Sequence, residues 1–234
     1  MSKRKNGARL LTTSSPDGPT AAVLVLHGGA ADSTMRVAPF SLAVLRLVPV
    51  ARAVAAEVPT AAVYRLRFSV RGWNGDGADV LADARWAANE IARRHPGLPI
   101  VVVGHSLGGR VAMHVVRTSP QVVGAVGLAP WVEPTDPVDG LAGVPLFVVQ
   151  GTRDRIVPEP STRAWLARAG RVGAAVESVL IEGGGHAMLR HIRRWHRLTA
   201  DGVLAVLEAA RRAAPAEPQV PSGEPTGAEH PART

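Results

Sequence analysis

Pro99-Ile100-Val101-Val102-Val103-Gly104-His105-Ser106-Leu107-Gly108-Gly109-Arg110 is an apolar, β-branched run that breaks abruptly into glycine and serine. Such a run, without polar alternation, marks a strand covered on both faces. Helical character follows from Val111 to Arg117. Strand, sharp turn and helix together are the context of a nucleophile elbow. A serine at such a turn is held in a strained backbone conformation with its hydroxyl exposed. The chain passes so close to its neighbours there that the positions two before and two after must be small. Gly104 and Gly108 occupy those positions, which makes Ser106 the candidate nucleophile.

Working outward, four further apolar runs read as strands: Ala21–Leu26, Ala61–Phe68, Val122–Leu128 and Val144–Gln150. A fifth, Ala174–Ile181, leads into Glu182-Gly183-Gly184-Gly185-His186. Between the strands lie helical stretches at about 39–57, with a kink expected at Pro49, and at 79–94, 107–118 and 161–169. A basic helix over about 189–213 closes the body. Strands alternating with helices predict an α/β fold: a doubly wound, mostly parallel sheet flanked by helices. The expected division is an N-terminal segment 1–20 with at most one short strand (Arg9–Thr12), a catalytic-type domain 21–213, and a disordered tail 214–234 rich in Pro, Glu, Gly and Ala.

The bulk numbers narrow the class. At 234 residues, with 46% hydrophobic and 20% charged, the chain can bury a full core as one domain. It has no cysteine, so a thiolate nucleophile, a disulfide framework and a Cys-based metal site are all excluded. The net charge of +8 comes almost wholly from scattered arginine; Lys3 and Lys5 are the only lysines. Aromatics make up 4%, too few for a base-stacking surface, so a nucleic-acid partner is not expected, even with Arg190, Arg193, Arg194 and Arg197 on the last helix. The apolar stretch 37–58 is broken by Arg46, Pro49 and Arg52, which argues against a membrane span. No signal peptide is evident, and the cytoplasm is the expected compartment.

In a parallel sheet, ligands bind outside the carboxyl ends of the strands. His27-Gly28-Gly29, Arg71-Gly72-Trp73, His105-Ser106-Leu107, Asp154 and His186 all fall there. A serine hydroxyl needs a general base within hydrogen-bond reach, and the base needs an orienting carboxylate. His186 suits the base: its three preceding glycines form a flexible loop able to swing the imidazole across the sheet edge. Asp154 is placed to face the ring's other nitrogen. Glu133 and Asp136, after the strand that follows the elbow, are the alternative orienting acids. Two backbone donors are expected for a developing oxyanion: Leu107 N–H, and either Gly29 or Ala30. Trp73, Trp131 and Met188 fall on loops at this end as candidate pocket residues. His27 is expected to hold the oxyanion loop, and His105 to pack.

Taken together, Leu26-His27-Gly28-Gly29, Gly104-His105-Ser106-Leu107-Gly108-Gly109, Gly151-Thr152-Arg153-Asp154-Arg155-Ile156-Val157-Pro158 and Gly185-His186 resemble the α/β-hydrolase superfamily. The pattern is similar to compact serine esterases and dienelactone-hydrolase-like enzymes. The chain order Ser106, Asp154, His186 is that superfamily's triad order. The resemblance implies acyl transfer to water from an ester-type substrate through an acyl-serine intermediate, with neither metal nor organic cofactor, and a site without a cap would suit a small or protruding acyl substrate. Thioesterase, acyltransferase, peptidase and non-catalytic binding roles are compatible with the same scaffold. Only residues 129–143 separate two strands where larger relatives insert a lid, so no cap domain is expected, and the antiparallel edge strands of those relatives are expected to be trimmed.

Overall fold

The structure is a computed structural model and describes residues 1–213. The expected tail, 214–234, lies outside the described residues. The elements run β1 (Ser2–Lys3), β2 (Arg9–Ser14), β3 (Ala21–Leu26), α1 (Leu42–Glu57), β4 (Ala61–Arg67), α2 (Ala78–Arg94), β5 (Ile100–His105), α3 (Leu107–Val115), β6 (Val122–Leu128), β7 (Pro145–Gly151), α4 (Glu159–Arg171), β8 (Ala175–Ile181) and α5 (Ile192–Ala213). They build one eight-stranded sheet in the order β1-β2-β4-β3-β5-β6-β7-β8. From β4 to β8 the pairing is parallel, while β1–β2 and β2–β4 are antiparallel. This is the doubly wound α/β-hydrolase architecture without a cap: no helix occurs in 129–143.

Side-chain parity explains why the central strands read as unbroken apolar runs. Successive side chains of a strand point to opposite faces. Ala22, Leu24 and Leu26 of β3, with Ile100 and Val102 of β5, join the core under α2, α3 and α4. Val23 and Val25, with Val101 and Val103, join the core under α1 and α5, where Leu47 and Trp195 are buried. Both faces are dry, so both parities must be apolar. α1 continues through Pro49, whose ring faces solvent.

The N-terminal segment departs from expectation. It contains two strands, and β2 runs two residues further than Thr12. Asn6-Gly7 makes the difference: Gly7 takes φ +105°, Gly7 N–H donates to Arg4 O (3.0 Å), and β1 folds back on β2. An Asn-Gly pair is a strong hairpin signal, masked here by lysines and arginines where alternating apolar residues would have announced strands. An antiparallel edge is therefore present, although β1 has only two residues.

α5 starts at Ile192, later than the basic run suggested. Met188 and His191 both take left-handed φ (58° and 59°), which prevents helix from propagating earlier.

Candidate active site

The elbow is built as the glycine spacing requires. Ser106 follows β5 and precedes α3 with φ 54° and ψ −118°, a conformation that a side-chain-bearing residue rarely holds. Its backbone is pinned on both sides. Ser106 N–H donates to Leu128 O (3.0 Å), and Ser106 O accepts from Trp131 N–H (3.0 Å) and Arg110 N–H (3.1 Å). A Cβ on Gly104 would lie 2.0 Å from Gly108 O, and one on Gly108 would lie 2.5 Å from Leu26 O.

The three residues named as a triad converge. Ser106 Oγ lies 2.9 Å from His186 Nε2, and His186 Nδ1 lies 2.8 Å from Asp154 Oδ2. With Nδ1–H donating to the carboxylate, Nε2 is left to accept the serine proton. Asp154 has no exposed side-chain surface. Burial by itself would raise its pKa. The His186 hydrogen bond and the N–H groups of Val157 (2.8 Å) and Ile156 (2.9 Å) outweigh burial and hold it below the usual carboxylate range.

Gln150 is a contributor that the sequence reading missed. Its side-chain amide donates to Asp154 Oδ2 (3.1 Å) and to Val157 O (2.9 Å), bracing the acid loop. Its signal was a polar residue at the end of a buried strand, four before the aspartate.

The glycines before His186 are not a swinging arm. A Cβ on Gly151 would lie 2.4 Å from Gly184 O, so the ends of β7 and β8 meet at van der Waals limits. Arg153 N–H donates to Gly184 O (2.9 Å) and Gly183 N–H to Thr152 Oγ1 (2.9 Å). From behind, His105 Nε2–H donates to His186 O (2.8 Å). The imidazole is held in place by a fitted junction.

The oxyanion loop follows β3. Ala30 N–H is already spent on Arg71 O (2.9 Å). Gly29 N–H has no partner among the described residues, and Leu107 N–H is the first, unpaired donor of α3. Gly29 can carry no side chain: a Cβ would fall 2.2 Å from Arg71 O and 2.6 Å from Leu107 Cδ2. His27 braces this loop. Phe68 N–H donates to its Nε2 (3.2 Å), so Nδ1–H donates to Gly28 O (2.7 Å).

Burial is the main reason that His27 falls to about 4 and His105 to about 3; the Gly28 hydrogen bond partly opposes it in His27, and His186 adds to it in His105. Both rings are neutral in the fold, whereas in the unfolded chain they protonate near 6.5. Between those values the unfolded state binds more protons, so this stability is present above about 6.5 and is lost as pH falls toward 4. Thermal melts from neutral to acid pH should show Tm falling through that window. In His27→Gln the slope should be shallower; an unchanged slope would remove His27 from the linkage.

Of the three candidate pocket residues, Trp73 and Met188 are buried and Trp131 is partly exposed. Trp73 is buried, with the Arg110 guanidinium 4.1 Å from its ring centroid and His114 at 5.1 Å. Trp131 is half-buried, with its ring centroid 4.8 Å from the same guanidinium. Both indoles therefore lie against the Arg110 guanidinium, which is buried one turn past Ser106. Met188 is buried in the core beside α1 and α5, at a tight turn closed by its N–H on Gly185 O (3.0 Å).

Asp136 is not an orienting acid. It accepts from Arg110 Nε (3.1 Å) and Nη2 (2.7 Å) and lies 3.3 Å from His114. Glu133 is 4.0 Å from Arg110. Asp136→Ala should leave the Arg110 charge buried without its main partner and cost roughly 3 kcal/mol, measurable by urea denaturation. A loss under 1 kcal/mol, on the order of an exposed pair, would show that Arg110 does not depend on Asp136.

The sheet order, the elbow and the positions of the loops define an α/β-hydrolase fold. A family model described as serine aminopeptidase, S33, matches residues 69–143, about a third of the chain; that span holds the elbow and ends before Asp154. Solved structures agree over nearly the whole chain. A sugar hydrolase from Lactococcus lactis superposes with TM-score 0.72 at 15% identity, covering 90% of this chain and 98% of that one. Esterase 2 of Thermogutta terrifontis, phosphoramylated by tabun, gives 0.70 at 19%, covering 88% and 92%. Est1E from Butyrivibrio proteoclasticus, bound to ferulic acid, gives 0.65 at 14%, covering 86% and 95%. No curated protein matches by sequence. The likeness to compact α/β serine hydrolases, carried in the sequence by short motifs, holds at the level of the fold.

Proposed function

We propose that the protein is a serine hydrolase that cleaves a carboxylic ester of a small or protruding acyl substrate through an acyl-serine intermediate. One observation carries the reading: the unbroken hydrogen-bonded chain Ser106–His186–Asp154, accompanied by two backbone N–H groups, Gly29 and Leu107, without a partner among the described residues.

In this reading Ser106 Oγ attacks the carbonyl carbon while His186 Nε2 takes its proton. Asp154 stays ionised and stabilises the imidazolium. The Gly29 and Leu107 N–H groups receive the negative charge that develops on the carbonyl oxygen; a preorganised donor of this kind lowers the barrier by about 3 kcal/mol. His186 returns the proton to the departing alkoxide. Water, deprotonated by His186, then attacks the acyl carbon and releases the acid and Ser106.

The family match favours one second reading, cleavage of an N-terminal peptide bond by the same groups. Fluorophosphonate labelling tests the shared chemistry. Wild type should label, and Ser106→Ala and His186→Ala should not. Folded wild type that fails to label would exclude both readings. A panel of p-nitrophenyl esters, acyl thioesters and aminoacyl p-nitroanilides would then separate ester from thioester and amide.

A further inference from the structure

The rim of the candidate active site carries most of the exposed large hydrophobic residues among those described. Of eleven exposed large hydrophobic residues among those described, seven lie at the carboxyl edge of the sheet. Met35, Phe40, Leu42 and Leu45 follow β3, with Phe40 83% and Leu42 76% exposed. Ile156 follows β7 (71%), and Leu189 and Ile192 follow β8, with Leu189 at 69%. α1 and α5 pack against each other and both start at this edge, so the first and third groups flank the same opening. Exposed apolar residues gathered at one edge mark an interaction surface.

Cations are interleaved with it. Arg46, Arg71, Arg153, Arg155 and Arg190 make no side-chain hydrogen bond or ion pair among the described residues. Asp32, Asp76 and Glu182 are the exposed carboxylates on the same loops. Two hollows show the same pairing of groups. One, of about 260 Å³, joins Arg71 to Val37 and Leu42 beside Gly28 and Gly29. The other, of about 330 Å³, joins Arg153, Arg155 and Arg190 to Leu189 beside the histidine loop. Met188 and His191, both left-handed, and the buried Met188 side chain hold Leu189 and Arg190 outward on a constrained turn.

We propose that this edge docks on an anionic lipid surface, with Phe40, Leu42 and Leu189 entering the headgroup layer and Arg155 and Arg190 meeting lipid phosphates. A ligand lodged in either hollow would leave Phe40 and Ile156 in water, because neither lines a hollow. A surface covers them all. Guanidinium groups pair with phosphate bidentately, and apolar side chains beside them favour the interface plane. No helix among the described residues is long and apolar enough to cross a membrane, so the contact is peripheral. Docking would present Ser106 to acyl groups of the surface, a role that rests on the hydrolase reading.

Flotation with phosphatidylcholine vesicles, with and without phosphatidylglycerol, tests the proposal. Wild type should float only with phosphatidylglycerol, and less as salt rises. Each arginine near such a surface contributes about fivefold in binding, so Arg155→Gln/Arg190→Gln should weaken binding roughly 25-fold. Phe40→Ser/Leu42→Ser/Leu189→Ser, at exposed positions, should also lose it. Arg171→Gln/Arg211→Gln, on helix ends at the opposite edge, should change it less than about twofold. Absence of flotation, equal loss in the opposite-edge variant, or a dimer in sedimentation that Phe40→Ser dissolves would each overturn it. Ser106→Ala should float like wild type, so failure of the hydrolase reading would be seen in probe labelling and not here.

Discussion

Ser106→Ala should lower ester turnover by on the order of 10⁵-fold while leaving the melting temperature within a few degrees of wild type. Alanine keeps the Cβ, which is the part of Ser106 that packs beside Gly28; a Cβ added there would lie 3.4 Å from it. Only the oxygen facing His186 Nε2 at 2.9 Å is lost. His186→Ala should cost about as much, and the double variant little more, because the members of such a unit act together. Asp154→Asn should be milder, roughly 10⁴-fold, since its amide can favour the wrong imidazole tautomer without moving the ring. The measurement is kcat/KM on a p-nitrophenyl ester, with fluorophosphonate labelling alongside. Turnover by Ser106→Ala within tenfold of wild type would sink the nucleophile assignment. Additive losses in the double variant would show that Ser106 and His186 do not act as one device.

Gly104→Ala should cost roughly 4 kcal/mol of stability, a large share of the total for an ordinary domain. The added carbon would sit 2.0 Å from Gly108 O, 2.3 Å from Gly108 C and 2.6 Å from Gly109 N. All three atoms belong to the main chain at the start of α3, so no side chain can rotate aside; β5 and α3 would have to separate. Gly170 is the control. It lies inside α4 with nothing within 4 Å of an added Cβ, and Gly170→Ala should raise stability by up to about 1 kcal/mol. Urea denaturation of the pair would decide it. If Gly104→Ala were soluble and lost less than about 1 kcal/mol, β5 and α3 would not be in the close contact that these distances describe.

The two outcomes bear on how this site was legible. The elbow could be read locally, because strand, glycine and serine lie within ten residues and the steric rule acts between near neighbours. Asp154 and His186 could be named because each follows a buried strand, and parallel strands deliver their carboxyl ends to one edge. Their distances could not be read. Those depend on the meeting of Gly151 with Gly184: the three glycines before His186 looked like slack in the sequence, yet the middle one is packed tightly against the end of β7. That Ala30 N–H is spent was equally hidden, since its acceptor is a carbonyl from Arg71, some forty residues away.

By itself, the order of apolar runs and turns determined a doubly wound sheet, because residues buried on both faces must be apolar at both parities. It also determined a serine at a sharp strand-to-helix turn and the edge on which the candidate site residues gather. Tertiary structure alone decided which polar groups are already spent. It set Trp73, Trp131 and Asp136 against Arg110, and Met188 in the core. It also left Phe40, Leu42 and Leu189 in solvent at the rim. The physical reason is that hydrophobicity is a property of one residue, whereas hydrogen-bond satisfaction and exposure are properties of pairs and surfaces that exist only once the chain has closed on itself.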